Sequence, residues 1–166
     1  MRVRNVHERL LPASVAEVGD LVARVAEVDT RLWPRQWPRM KLDRPLAVGA
    51  AGGHGPIRYV VEEHAPDVRT TFRFTSPRGF DGTHGFEIEP RGPHTLLRHV
   101  LAMEVNGLAR VQWSLVFRPL HDALLEDGLD TAERTLTGTI ARPARWSAWV
   151  RTLRAGLRRV DSRSAA

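Results

Sequence analysis

Three side chains in the sequence are candidates for acid–base or hydrogen-bond chemistry inside a pocket: His84, His99 and Tyr59. Histidine titrates near neutral pH, and a buried site can tune it further as an acid or a base. Tyr59 is the only tyrosine, and its phenol could anchor the polar end of a ligand. The structural alternative is two half-buried histidines bonded to backbone or water, and a tyrosine that reaches the pocket rim.

Several other chemistries have no support in the sequence. Without cysteine there is no disulfide, thiolate metal ligand or cysteine nucleophile. The glycine-rich stretch 49–55 lacks the lysine and hydroxyl ending of a phosphate-binding loop, and neither a G-x-S-x-G nor an H-E-x-x-H motif occurs. We therefore expect no nucleotide site, serine hydrolase or zinc protease.

A metal site at the two histidines is not expected either. Two facing histidines need a third ligand, and the nearest acidic residue, Glu104, lies on the opposite face of its strand by alternation. We predict no metal and no other cofactor.

The net charge of +6 is concentrated at one end of the chain. From residue 142 onward there are seven arginines and one acid, Asp161, while the part before it is neutral overall. A neutral body has no general field to attract a polyanion, so no nucleic-acid partner is expected.

The candidate residues lie in a region of strand-like alternation that extends to Pro119. The predicted strands are residues 3–10, 46–51, 57–64, 69–75, 83–89, 94–104 and 109–118. Ser14 and Glu17 have capping-box spacing, which predicts a helix over 14–27. The pairs Trp33-Pro34 and Trp37-Pro38 allow at most a broken second helix, because a residue before proline avoids the α region.

Turn residues predict which strands face each other. A four-residue loop over 90–93 would place His84 opposite His99, and Phe86 opposite Leu97. A three-residue loop over 105–107 would place His99 opposite Trp113; a two-residue turn at 106–107 is the alternative, disfavoured because it breaks the apolar face.

These registers predict one concave apolar face that would contact a ligand. Pairing across the turn at Pro66-Asp67 brings Tyr59 near Phe74 on that face. The predicted ligand-binding residues are Tyr59, Phe72, Phe74, His84, Phe86, Leu97, His99, Leu101 and Trp113, with His84 and His99 as the candidates for proton transfer.

After Pro119 the spacing of apolar residues becomes helical, with a bend expected at Gly128 and a stop at Pro143. A last amphipathic helix follows over 146–160, apolar on one side and rich in arginine on the other. Peripheral membrane contact through this helix is the less favoured alternative, because packing on the sheet would use its apolar stripe.

The order of elements predicts an α+β fold, a seven-stranded curved antiparallel sheet wrapped around a long C-terminal helix, with two short helices after strand 1. Its local patterns are His7-Glu8-Arg9-Leu10-Leu11-Pro12-Ala13-Ser14, Trp33-Pro34, Phe72-Arg73-Phe74 with Gly79 and Gly82, and Arg118-Pro119-Leu120-His121-Asp122-Ala123-Leu124-Leu125. In these the chain resembles the SRPBCC superfamily over nearly its whole length. That superfamily includes START-like lipid-transfer domains and the polyketide cyclase/dehydrase group, often as small stand-alone bacterial proteins.

The resemblance implies a helix-grip ligand-binding domain over 1–160, and we expect a flexible tail over 161–166. The expected function is binding or transport of a small hydrophobic molecule, lipid-like, polyketide-like or aromatic, in an internal pocket. The alternative is a polyketide cyclase or dehydrase type of enzyme that uses the pocket histidines to move protons. We expect a cytoplasmic location, since the first 11 residues form no apolar run; no oligomeric state is indicated.

Overall fold

The computed structural model describes the backbone of residues 1–164 and the side chains of residues 1–157. The strands are β1 (Arg2–Leu11), β2 (Lys41–Leu42), β3 (Ala51–His54), β4 (Ile57–Ala65), β5 (Arg69–Ser76), β6 (Phe80–Arg91) and β7 (His94–Val105). The helices are α1 (Val15–Ala23), α2 (Ala109–Gln112), a π-helical segment (Trp113–Phe117), α3 (Arg118–Thr137) and α4 (Ala148–Ser164). We call the continuous helical stretch 109–137 the long helix.

All seven strands form one antiparallel sheet in the spatial order β1-β7-β6-β5-β4-β3-β2. The first strand closes onto the last, so β7 is paired on both sides, with β6 and with β1. Helices cover one face of this sheet, and a single cluster of buried apolar side chains lies between the two layers. The predicted α+β helix-grip class is confirmed.

The first helix begins where the capping-box pattern places it. Ser14 accepts a hydrogen bond from the backbone N–H of Glu17, and the Glu17 carboxylate accepts one from the backbone N–H of Ser14. The helix ends at Ala23, four residues before the predicted end, and its apolar side buries Val18, Leu21 and Val22.

The connector after α1 differs from the prediction of a second short helix. Residues 24–40 form turns, which follows from the two Trp-Pro pairs that keep the preceding residues out of helical geometry. The predicted strand over 46–51 is also wrong, because this stretch turns at Gly49, whose φ is +85°. The strand begins only at Ala51, whose N–H donates to the Asp43 carboxylate.

The β6–β7 hairpin has a tighter turn than predicted. The strands extend to Arg91 and His94, and Gly92 takes a φ of +62° in the two-residue turn between them. The pairing is therefore shifted by two residues: His84 lies opposite Leu101, and His99 lies opposite Phe86. A shift of two preserves the face on which each side chain lies.

The segment predicted as a strand over 109–118 is helical. It cannot pair with β7, because both edges of β7 are already hydrogen-bonded, and the place expected for Trp113 opposite His99 is taken by His7 of β1. The predicted pair of His99 with Trp113 therefore does not form.

The helix α3 continues without interruption through Gly128, where the sequence predicts a bend. A Cβ atom at Gly128 would make an ordinary contact with the connector, 3.5 Å from the backbone oxygen of Leu32. Gly138 ends the helix with a φ of +77°. The backbone of 161–164 belongs to α4, while residues 165 and 166 of the predicted flexible tail lie outside the described residues.

Candidate functional site

A cavity of about 220 Å³ lies between the sheet and the long helix. Strands β5, β6 and β7 form its floor, the long helix forms one wall, the connector with its two tryptophans forms another, and α4 closes the remaining side through Arg154 and Leu157. Most of the lining side chains are apolar or aromatic, as is typical of sites for small apolar ligands.

Six of the nine predicted ligand-binding residues line this cavity: Phe74, His84, Phe86, His99, Leu101 and Trp113. The other three, Tyr59, Phe72 and Leu97, are fully buried in the core and are not part of the lining. Tyr59 and Phe74 are directly paired across β4 and β5, as the turn at Pro66-Asp67 predicted. Trp113 reaches the cavity from the helical side and not from the sheet.

The two candidate histidines are in direct contact in spite of the register shift. His84 Nδ1 and His99 Nε2 are 3.2 Å apart, so one of these nitrogens donates a hydrogen bond to the other. The outer nitrogens, His84 Nε2 and His99 Nδ1, are buried and make no hydrogen bond within the described residues. Burial lowers the pKa of both residues well below the ordinary value for histidine. At neutral pH the two rings are therefore uncharged, and the pair shares one proton in its internal hydrogen bond.

A second polar pair lies next to the first. His54 Nδ1 is 3.1 Å from the Tyr59 hydroxyl, and the rings of Tyr59 and His84 meet edge to face at 4.9 Å. Burial lowers the pKa of His54 to about 3 and raises the pKa of Tyr59. The imidazoles that line the cavity are thus neutral, and the Tyr59 phenol behind them is protonated, so this side of the cavity suits an uncharged ligand better than an ion.

Most of the other lining residues were not predicted, and the aromatic and titratable ones among them include Trp33, Trp37, His54 and His121. The paired Trp-Pro signal marks the connector as aromatic and kinked, but which way it folds depends on contacts with the long helix. His54 lies in a glycine-rich stretch that resembles a flexible hairpin tip, and His121 lies on a helix whose start was placed too late. No local pattern places these residues together.

One carboxylate of the long helix fixes the tryptophans. Asp127 Oδ2 accepts hydrogen bonds from Trp37 Nε1 at 2.7 Å, Trp146 Nε1 at 2.8 Å and Gln36 Nε2 at 3.0 Å. Asp127 and Trp37 are buried, so the bond between them forms away from bulk water. The connector and the segment before α4 are therefore held to the same point of the helix.

Arg154 of α4 closes the cavity beside this point. Its guanidinium lies 4.4 Å from the ring centre of Trp37 and donates to the backbone oxygen of Gln36. Arg154 is the permanently charged residue among the described lining side chains. The apolar side of α4 is only partly covered by other elements, since Trp149 on it is 49% exposed.

An ionic network joins β1 to the long helix next to the cavity. His7 makes hydrogen bonds with Glu126 through Nδ1 at 2.7 Å and with Asp122 through Nε2 at 3.1 Å, and Arg9 pairs with Asp130 and Glu133. Burial alone would lower the pKa of His7, but the hydrogen bonds to Asp122 and Glu126 outweigh it and raise the pKa to about 9. The network fixes the orientation of the helix that forms the cavity wall.

Known proteins resemble this chain in fold. No protein-family model matches the sequence, and no curated protein matches it. The crystal structure of CalU16 from Micromonospora echinospora is 17% identical with a TM-score of 0.60 and covers 93% of this chain and 83% of its own. A Thalictrum norcoclaurine synthase mutant, solved with a transition-state analogue, is 11% identical with a TM-score of 0.63 and covers 83% of this chain and 96% of its own.

The di-domain ARO/CYC protein StfQ of the steffimycin biosynthetic pathway is 11% identical, with a TM-score of 0.64 over 82% of this chain and 51% of its own. Together these likenesses show that the chain shares the helix-grip fold of these proteins. At such low identity they establish the fold and nothing about the ligand. None of the helices in the described part of the chain is long and apolar enough to cross a membrane.

Proposed function

We propose that the protein binds a small, uncharged or weakly acidic hydrophobic molecule in the cavity between the sheet and the long helix. The observation that carries this proposal is an apolar cavity of about 220 Å³ in which four imidazoles are the main polar groups. A buried apolar cavity of about 150 Å³ takes up benzene. The larger volume here suits an aromatic or polyketide-like ligand of one or two rings, or a short lipid chain.

The balance of side chains favours binding over covalent chemistry. A binding site needs apolar walls and a few polar anchors, which the aromatic lining and the histidines supply. No serine or carboxylate lines the cavity among the described residues. Proton transfer at neutral pH would rest on imidazoles whose pKa is far below 7, and such groups are weak bases.

The first test uses 2-naphthol as a probe, with binding followed by calorimetry and by its fluorescence. Phe86→Ala and Trp113→Ala remove cavity walls and should weaken binding more than the double change His84→Ala and His99→Ala. The double change should cost about 1 to 3 kcal/mol, the value of one or two hydrogen bonds. Trp149→Ala is the matched control for Trp113→Ala, because Trp149 lies outside the cavity lining and is half exposed.

Equal affinities of the two tryptophan variants would show that the probe binds elsewhere. Native mass spectrometry of the protein purified from its own host then identifies the natural ligand as a mass added to the chain.

A cyclase or dehydrase type of enzyme is the second candidate, favoured by the direct contact of His84 with His99 at the cavity. A coupled pair of neutral imidazoles can relay a proton, because one ring accepts while the other donates. An assay with a substrate distinguishes the binding protein from the enzyme. If turnover vanishes in the double histidine variant while substrate binding survives, the protein is an enzyme.

A further inference from the structure

The strongest cluster of potential metal ligands lies beside the cavity and not among the histidines that the sequence analysis considered. His7 of β1 and His121 and Asp122 of the long helix each offer one ligand atom, and these atoms all lie within 4.8 Å of one another. His7 and His121 have side chains only 11% and 16% exposed, and Asp122 is 35% exposed. Two imidazoles and a carboxylate are a common protein donor set for zinc.

The distances within this cluster fit a tetrahedral ion. Zinc bonds to nitrogen and oxygen at about 2.0 to 2.2 Å, so neighbouring ligand atoms of a tetrahedron lie about 3.3 to 3.5 Å apart. His7 Nε2 is 3.1 Å from Asp122 Oδ1, and His121 Nδ1 is 3.7 Å from the same oxygen. These two distances are within a few tenths of an ångström of the tetrahedral values, and the ligand atoms of the three residues all lie within 4.8 Å of one another.

His7 has one outer contact of the kind that metal-bound histidines make. Its Nδ1 lies 2.7 Å from Glu126 Oε1, and such carboxylate partners orient metal-binding histidines and raise their basicity. Without an ion, both ring nitrogens of His7 donate to carboxylates, Nδ1 to Glu126 and Nε2 to Asp122. An ion would replace the Nε2 proton between His7 and Asp122, with Glu126 as a positioning residue.

Unpartnered polar atoms also point to a missing partner at this place. Both ring nitrogens of His121 are buried and make no hydrogen bond in the described structure, and 3.7 Å to Asp122 is too long for one. Asn5 donates to Asp122 Oδ1 at 2.9 Å, while its own Oδ1 is buried without a hydrogen bond. Buried polar atoms are rarely left in this way, and an ion at the cluster would give one nitrogen of His121 a partner.

We propose that His7, His121 and Asp122 bind a divalent ion of the zinc type, with Glu126 orienting His7 and Asn5 Nδ2 donating to the Asp122 carboxylate. The ion would link β1 to the long helix at the edge of the cavity. This proposal does not depend on the ligand proposed above, because its ligands hold the ion whether or not the cavity is filled.

The test uses the full chain freed of metal by a chelator and then dialysed. Calorimetric titration with zinc chloride should give one ion per chain with a dissociation constant of about 1 μM or tighter, and cobalt(II) should give the visible absorption of a tetrahedral site. His121→Gln and Asp122→Asn should each weaken zinc at least tenfold. Glu126→Gln should weaken it about 10- to 100-fold, as loss of an outer-shell partner does.

His94→Ala is the control, because His94 lies at the β6–β7 turn outside the cluster, and it should leave the affinity unchanged. Absence of 1:1 binding below about 100 μM zinc would overturn the proposal. It would also be overturned if the cluster variants bind as the unchanged protein does, or if His94→Ala alone loses the ion, since the ion would then be adventitious.

If circular dichroism shows that His121→Gln or Asp122→Asn does not fold, the effect of zinc on the midpoint of thermal unfolding tests the site instead. Zinc should raise the midpoint of the unchanged protein and of His94→Ala, and should raise that of Glu126→Gln less. Equal rises in all three would refute the site.

Discussion

Replacing Asp127 with alanine should destabilise the protein more than the loss of any exposed carboxylate. Asp127 Oδ2 is the common acceptor for two indole N–H groups and the Gln36 amide. In the alanine variant both indole N–H groups, at Trp37 and Trp146, lose their acceptor. Gln36 is exposed and can bond to water instead, so its loss adds little.

The size of the effect follows from the two tryptophans. A hydrogen bond to a charged group contributes about 1.5 to 3 kcal/mol, and a buried donor left without a partner bears its full desolvation cost. Two such bonds give an expected loss of about 3 to 6 kcal/mol in the free energy of unfolding. Since domains of this size are stable by only about 5 to 15 kcal/mol, the variant should lose a large share of its stability.

The measurement is urea unfolding followed by tryptophan fluorescence and circular dichroism, with the slope of the transition checked for change. Asp20→Ala is the control, because Asp20 is an exposed carboxylate whose pairs with Arg24 and Arg31 lie at the surface. It should cost less than about 1 kcal/mol. Equal losses in the two variants would refute the reasoning that one buried oxygen holds the connector and the start of α4 to the long helix.

Three further changes test other parts of the structure. Lowering the pH from 6.5 to 5 should reduce stability by up to about 1.4 kcal/mol per pH unit for each of His54 and His84. Their pKa values are lower in the fold than in the unfolded chain, so the unfolded chain takes up protons first as pH falls; urea midpoints that stay level across this range would contradict it. Gly85→Ala should lower the free energy of unfolding, measured in urea, by at least about 2 kcal/mol, because its Cβ would lie 2.1 Å from the backbone oxygen of Thr70. A loss below about 1 kcal/mol would show that the backbone of β5 shifts to make room. Gly156→Ala, with no atom within 4 Å of its Cβ, should instead raise stability by up to about 1 kcal/mol, and a lower thermal midpoint would count against the helical geometry of α4 there.

The sheet could be predicted from the sequence wherever its contacts are local. Alternation and turn residues give β4 to β7 to within a few residues of their ends, and the pairing of Tyr59 with Phe74 follows from the turn between them. The prediction of a strand over 109–118 is wrong. It rested on the alternation of apolar residues typical of a strand, at Val111, Trp113, Leu115 and Phe117. Such a segment can become a strand only where a sheet edge is free to pair with it. The edge of β7 is paired with β1, which lies about 100 residues earlier in the chain.

The site shows the same division between local and distant contacts. His84 and His99 come from one hairpin, and their shared face follows from alternation alone. The error of two residues in the register left both on that face, because faces repeat every two residues, and diagonal neighbours on a sheet remain within reach. His121, Trp33 and Trp37 belong to elements that meet only in the tertiary structure, so no spacing in the sequence could place them at the cavity.

The cavity wall and the stability of the fold depend on the same contacts. Trp37 lines the cavity, stacks under Arg154 and donates to Asp127, so one side chain joins the connector, α4 and the long helix. A ligand that pushed Trp37 outward would have to stretch a bond to a buried carboxylate. We therefore expect the connector wall to resist displacement and a ligand to enter on the α4 side, where Leu157 is 38% exposed. Since Arg154 lies on that same helix, opening there would move the charged residue away from Trp37 and leave the Asp127 contacts of the connector in place.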